Sequence, residues 1–120
     1  MVNRSPTPES FLPLTPVVFE ILVTLASGDG HGYSILNDVR VRSGEALLPG
    51  SLYRALARLL ADDLIEELDE RPDPTVDDER RRYYRITALG KSVAAAEARR
   101  MEKHVSSARR ARLLGRLRRG

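Results

Sequence analysis

Pro49-Gly50-Ser51-Leu52-Tyr53-Arg54-Ala55-Leu56-Ala57-Arg58-Leu59-Leu60-Ala61 is the stretch on which the fold turns. Pro49 suits a first helical position, where its missing N–H would have no partner in any case. At about 100° per residue, Leu52, Leu56, Leu59 and Leu60 share one arc. Ser51, Arg54 and Arg58 fall on the opposite arc, and Tyr53 lies at the edge of the apolar one. The segment holds two arginines and no acid. An acidic first turn would suit the helix dipole, so its absence favours the approach of an outside anion such as a phosphate. An ordinary amphipathic helix with two solvated arginines fits the same pattern, so the flanking segments must decide.

Upstream, residues 1–13 carry Pro6, Pro8 and Pro13 among small polar residues and read as a mobile arm. Thr15 is a good N-cap and Pro16 a good first helical residue. Val18, Ile21, Leu22 and Leu25 follow at the spacing of a helix with one buried stripe, and Gly28 is expected to end it as a left-handed cap. Gly28-Asp29-Gly30-His31-Gly32 is a tight connector. It only superficially resembles a phosphate loop, because no Lys-Ser or Lys-Thr follows and no apolar strand precedes it. A second helix is expected from about Gly32 to Arg42. It buries Ile35, Leu36 and Val39 and ends at Ser43 and Gly44.

Downstream, Leu64-Ile65-Glu66-Glu67-Leu68-Asp69 reads as a short strand and Pro72 to Asp78 as a turn-rich tip. Arg80-Arg81-Arg82-Tyr83-Tyr84-Arg85-Ile86-Thr87 is the return strand. Alternation places Tyr84 and Ile86 on one face, Tyr83 and Arg85 on the other. Such a two-stranded ribbon is marginal alone and must lean on the helices. Thr87 can cap a long last helix. Leu89, Val93 and Ala96 lie on one side, and Met101, Val105 and Ala108 continue a drifting stripe. That stripe follows an already complete small core and needs a partner surface, the same helix of a second subunit being the obvious one. Dimerisation is therefore expected over residues 88–108, through Leu89, Val93, Ala96, Met101 and Val105. Residues 109–120, crowded with arginines, read as a basic tail.

The chain has 120 residues, enough for one core. With 42% hydrophobic and 31% charged residues it reads as folded rather than disordered. The absence of cysteine removes disulfides, thiolate metal sites and a cysteine nucleophile. No apolar run approaches the roughly 18 residues of a membrane span, and the start lacks the apolar core of a signal peptide, so a cytoplasmic location and no membrane partner are expected. Catalysis is not expected: His31 reads as a loop or cap residue, His104 lies among helical charges, and no nucleophile motif accompanies either. No histidine pair has ligand spacing, so neither a metal nor a cofactor is expected. The net charge of +3 hides an asymmetry. Residues 1–70 carry five arginines against eleven acids, −6, and residues 71–120 carry fifteen cations against six acids, +9. A basic half suggests a polyanion partner, nucleic acid before membrane, although a solvated arginine-rich helix would give the same figure.

Three helices followed by a two-stranded ribbon make a mainly α fold with a β-hairpin wing, the winged helix-turn-helix, here spanning residues 14–87. The second and third helices form the turn unit, and the third enters the major groove. Arg80, Arg81 and Arg82, beside the ribbon tip, are natural phosphate or minor-groove contacts.

Three motifs then carry a resemblance: Leu14-Thr15 with the apolar first helix and His31-Gly32-Tyr33; Gly50-Ser51-Leu52-Tyr53-Arg54 with Leu56, Leu59 and Leu64-Ile65; and Arg82-Tyr83-Tyr84-Arg85-Ile86-Thr87 with Gly90. Over roughly residues 14–105 the chain closely resembles the PadR family of transcriptional regulators. The resemblance implies a homodimeric DNA binder, usually a repressor, paired through its C-terminal and first helices. It implies DNA-facing positions at Tyr33, Gly50, Ser51, Tyr53, Arg54 and Arg58 and at the wing arginines. Tyr53 fits packing at least as well as DNA contact. Asp63 stands where the family commonly has glycine, which makes that turn less permissive. The single short C-terminal helix resembles the smaller branch of the family, which offers less surface for a small-molecule effector, and the chain has no tryptophan to stack one. Whether an effector exists stays open, as does the alternative of a winged-helix module that binds a protein, or RNA through its arginine-rich tail.

Overall fold

Thr15 starts the first helix: its hydroxyl accepts the Val18 N–H at 3.3 Å, and Pro16 takes the first position of α1 (Pro16–Ser27). The chain is described here from a computed structural model at residues 6–44, 46–68 and 82–115. Helix α2 (Gly32–Ser43) begins with a reciprocal cap. The His31 ring accepts the Ser34 N–H at 3.3 Å while the Ser34 hydroxyl accepts the His31 N–H at 3.1 Å. Helix α3 spans Pro49–Ala61, the range its leucine spacing predicts, and α4 spans Ala88–Arg110, two residues beyond the expected end of the dimerisation segment. Gly28 is not a left-handed cap. Its backbone is extended (φ 159°, ψ 158°), and the left-handed cap is Gly44 after α2 (φ 70°, ψ 5°).

The sheet has three strands, not the two expected. The connector contributes β1 (Gly30–His31), which joins β2 (Ile65–Leu68) and β3 (Tyr83–Ile86) in the order β1-β3-β2, antiparallel throughout. Gly30 pairs with Tyr84, and Ile65 with Ile86. Alternation along β3 holds: Tyr84 and Ile86 are buried, while Arg85 is exposed. The tip, with Arg80 and Arg81, lies outside the described residues. The core is filled by Ile21, Leu22 and Leu25 of α1, Ile35, Leu36 and Val39 of α2, and Leu52, Leu56 and Leu59 of α3. Leu64, Ile65, Tyr84, Ile86 and Val93 close it. Burying each of these large side chains is worth about 1.5–3 kcal/mol, so the three helices and the sheet form one cooperative unit.

Helix α3 ends in a Schellman motif. The Asp63 and Leu64 N–H groups donate to the Leu60 and Leu59 carbonyls at 3.1 and 3.0 Å, and Asp63 takes the left-handed conformation (φ 59°). This left-handed conformation is one that glycine adopts without steric penalty. Thr87 ties this corner to α4. Its hydroxyl donates to the Asp63 carbonyl at 2.7 Å and accepts the Gly90 N–H at 3.0 Å.

Two further expectations need correction. Residues 8–13 are not a free arm: Pro8–Phe11 form a 3₁₀ turn, and Phe11, Leu12 and Leu14 pack against the core. The Leu12–Pro13 peptide is cis. The segment is held by Glu97 of α4, a carboxylate only 1% exposed that accepts the Leu14 N–H and pairs with Arg100. Val93 and Ala96 are likewise not available to a second subunit, because the chain's own core already covers them at 0% and 6% exposure; Leu89 packs partly against the same core. The drifting stripe divides there. Met101 is half-buried and Val105 exposed, so only its distal part remains open.

Candidate nucleic-acid interface

With Leu52, Leu56 and Leu59 of α3 fixed in the core, the opposite side of that helix must face outward, and Arg54 and Arg58 are both exposed there. Arg54 donates to the Ser51 hydroxyl at 3.2 Å, and its guanidinium lies over Gly50, 3.5 Å from where a β-carbon would stand. Gly50, Ser51 and Arg54 therefore form one polar cluster in the first turn and a half of α3. No acid occupies that turn, and Leu48 offers no side-chain cap. The first backbone N–H groups and an arginine thus share one end of the helix, a combination suited to anions. Arg58 lies one turn on, in a loose 3.8 Å pairing with Asp62. At 82% side-chain exposure that pair is weak and readily exchanged for a phosphate.

Helix α2 adds Tyr33, 58% exposed in its first turn. Tyr53 crosses from α3 to the start of α2, and its ring covers Gly32 closely enough that a β-carbon there would collide with the phenol oxygen at 2.6 Å. Tyr33, Leu36, Pro49, Tyr53 and Gly32 line a shallow hollow of about 210 Å³ between the two helix starts. Tyr53 is thus a packing residue with an exposed edge. The turn between α2 and α3 is fixed by Arg40, whose Nε donates to the Leu47 carbonyl at 2.9 Å. No sequence pattern marked Arg40 for this.

On the wing the cations are partly spoken for. Arg82 lies 3.4 Å from Glu67, and Arg85 bridges Asp29 at 3.2 Å and Glu66 at 3.9 Å. Asp29, through its hydrogen bond and its charge, holds Arg85 still more firmly protonated. Tyr84, on the inner face of the same strand, has its hydroxyl pushed up by burial and by Glu67. Its ring belongs to the core and not to the interface. Among the described residues no three histidine, aspartate or glutamate side chains come together as a metal site, and no helix is long and apolar enough to cross a membrane.

Residues 21–96 match the model of the transcriptional regulator PadR-like family. The chain belongs to that family. A PadR family transcription regulator from a hypervirulent Clostridium difficile shares its fold at a TM-score of 0.68, with 27% identity over 80% of this chain and 97% of the other. A transcriptional regulator from Clostridium thermocellum matches at 0.64, with 25% identity over 91% of this chain and 97% of the other. In sequence, the chain is 40% identical over 78 residues to a 37.1 kDa protein of unknown function in transposon TN4556 of Streptomyces fradiae. It spans 21% of that protein's length. Among the described residues this family member is a winged-helix protein of four helices and a three-stranded sheet, with Arg54 and Arg58 exposed on the outer face of α3.

Proposed function

We propose that this PadR regulator binds double-stranded promoter DNA as a homodimer and represses transcription by covering the promoter, in the cytoplasm and without catalysis. One observation carries the reading: the leucine face of α3 is consumed by the core, which leaves Gly50, Ser51, Arg54 and Arg58 outward with Tyr33 beside them. Arg54 is assigned to base readout, since arginine pairs bidentately with guanine and discriminates by about 1–3 kcal/mol. Arg58 holds phosphates, together with Arg82 and with Arg80 and Arg81 at the wing tip. Gly50 and Ser51 allow close approach, and Tyr33 and the exposed edge of Tyr53 border the same surface.

Two protomers join through the distal half of α4. Met101 and Val105 carry the contact, with Leu113 and Leu114 beyond them, both exposed. A palindromic operator then receives the two α3 helices about 34 Å apart.

The test is fluorescence anisotropy with the gene's own upstream DNA and with a scrambled duplex of equal length, over a salt series. Preference by about a thousandfold supports the reading. Equal, steeply salt-dependent binding to both leaves only a general polyanion binder, and no binding at low salt replaces the reading with a protein-interaction module, which the −6 balance of residues 1–70 would suit.

A further inference from the structure

Up to the start of α4, every described arginine has a side-chain partner. Arg42 donates to Glu20, Arg58, Arg82 and Arg85 lie against acids, and Arg40 and Arg54 donate to a carbonyl and a hydroxyl. On α4 and just beyond it the pattern reverses. Among the described residues, the side chains of Lys91, Arg99, Lys103, Arg109 and Arg112 have no hydrogen bond or ion pair, and all are exposed. Residues 98–112 hold six lysines and arginines against one acid, Glu102. Like charges one helical turn apart, such as Arg99 and Lys103, repel each other, and an outside anion would relieve that repulsion.

At about 100° per residue, α4 has three faces. Val93, Ala96 and Glu97 turn into the core. Met101 and Val105 lie about 100° round to one side. Arg99, Lys103, Ser106 and Arg110, all exposed, form a row about as far round to the other. The row is thus turned away from the core and from the stripe assigned to a second protomer. It is about 16 Å long at a rise of about 1.5 Å per residue. One DNA strand sets a phosphate at roughly every 3.4 Å of axis, so about five phosphates lie along that length. The neighbours on this face are Ser92 and Ala95, both exposed and small, so nothing bulky keeps a sugar-phosphate backbone at a distance.

The chemistry of the row selects the polyanion. Helix α4 contains no Phe, Tyr or Trp on which an unpaired base could stack, as single-strand binding uses. No large apolar side chain stands among the cations to enter a lipid surface. A straight row of exposed cations matches a regular row of phosphates. We propose that Arg99, Lys103 and Arg110 of α4 form a second, sequence-independent contact for duplex DNA. A further clause rests on the function proposed above: a promoter-bound regulator holds a second segment of DNA on this row.

The probe is a random-sequence DNA duplex, titrated with the full-length chain over a salt series. In an Arg54→Gln/Arg58→Gln background, which removes the cations of α3, the duplex should still bind. Adding Arg99→Gln/Lys103→Gln/Arg110→Gln should lower the salt slope by about 2–3 and weaken binding at low salt by about tenfold or more. Lys91→Gln/Arg109→Gln/Arg112→Gln removes as much charge away from the row and should lower the slope by no more than about 1. Circular dichroism confirms that each variant folds. Equal losses in the two triple variants would make the effect one of net charge and overturn the row. No residual duplex binding in the α3 background overturns it too. So does a row variant that keeps its duplex binding and loses only its binding to phosphatidylglycerol vesicles, which would make the row a lipid contact. Bead-bound upstream DNA loaded with the native chain should capture a labelled random duplex, and the row variant should not; duplex binding by the row without such capture overturns the second-segment clause. A chain without preference for its upstream DNA refutes the promoter reading, while the random-duplex series alone still decides the row.

Discussion

The carboxylate of Glu97, on the inner side of α4, accepts the backbone N–H of Leu14, 83 residues earlier in the chain. Burial alone would push this carboxyl up. The hydrogen bonds from Arg100 and Leu14, with the charges of Arg100 and His104, outweigh burial and hold it below its ordinary 4.5. A carboxylate depressed on folding contributes stability that is complete above its unfolded value and is lost as the pH falls through the lower folded one. Glu97→Gln should therefore destabilise the neutral protein by about 1–3 kcal/mol. The gap to wild type should narrow below about pH 4.5. Urea midpoints for both proteins at several pH values check this, and a pH-independent gap would show that packing rather than charge is at stake.

Gly90 should tolerate no side chain. A β-carbon there would overlap the Leu64 carbonyl oxygen and crowd the Ile86 side chain. The Leu64 carbonyl is itself held, since it accepts the Thr87 N–H at 3.1 Å, so it cannot retreat. Gly90→Ala should cost about 1–3 kcal/mol or more despite alanine's better helix propensity. Thermal unfolding decides it, because an unchanged or raised midpoint would mean that α4 stands off from the sheet.

Asp63→Gly should do the reverse. Asp63 occupies a left-handed position that glycine enters without a steric penalty. Its backbone contacts to Leu60 and Thr87 do not require a side chain. A gain of about 0.5 kcal/mol is expected, the relieved strain being partly offset by glycine's greater freedom when unfolded. Chemical denaturation is sensitive enough to read it.

Arg85, held between two acids, should matter least to DNA among these arginines. Arg85→Ala should leave the salt dependence of duplex binding nearly unchanged, because Asp29 and Glu66 already neutralise that side chain. Arg58→Ala should lower the salt slope by about 1 and weaken all sequences alike. Arg54→Ala should instead flatten the preference between operator and scrambled DNA. Equal loss on both duplexes would remove Arg54 from base readout.

Much of this architecture is legible in the chain because its signals are local. The leucines of α3 repeat at helical spacing behind a proline, and Thr15 and Thr87 are capping residues at the starts of their helices. What stayed hidden depends on residues far apart in sequence. Gly30 and His31 carry no alternation that marks a strand, and β1 exists only because β3 comes back to pair with it. Glu97 reads as a solvated helical charge until the N-terminal segment folds over it, and that segment's prolines suggest mobility when its apolar residues in fact find the core. Val93 and Ala96 were correctly placed on an apolar stripe, but periodicity cannot say whether a stripe faces its own domain or another chain. The exposed face of α3 was recoverable for the opposite reason: on an amphipathic helix, whatever the core does not claim must face out.

Strand β1 gives the wing and the helix pair a common backbone. Its two residues are hydrogen-bonded into the wing sheet, and the next residue is the first of α2; the His31 ring caps that helix while standing edge-on to Tyr83 of the wing, 5.4 Å between centroids. A winged regulator in which wing and helix met only through side chains could let one pivot on the other. Under the proposed function, the gap between the base-reading and backbone-reading parts is set within one protomer like the fixed jaws of a gauge, and adjustment to operators of different spacing falls to the joint between two protomers.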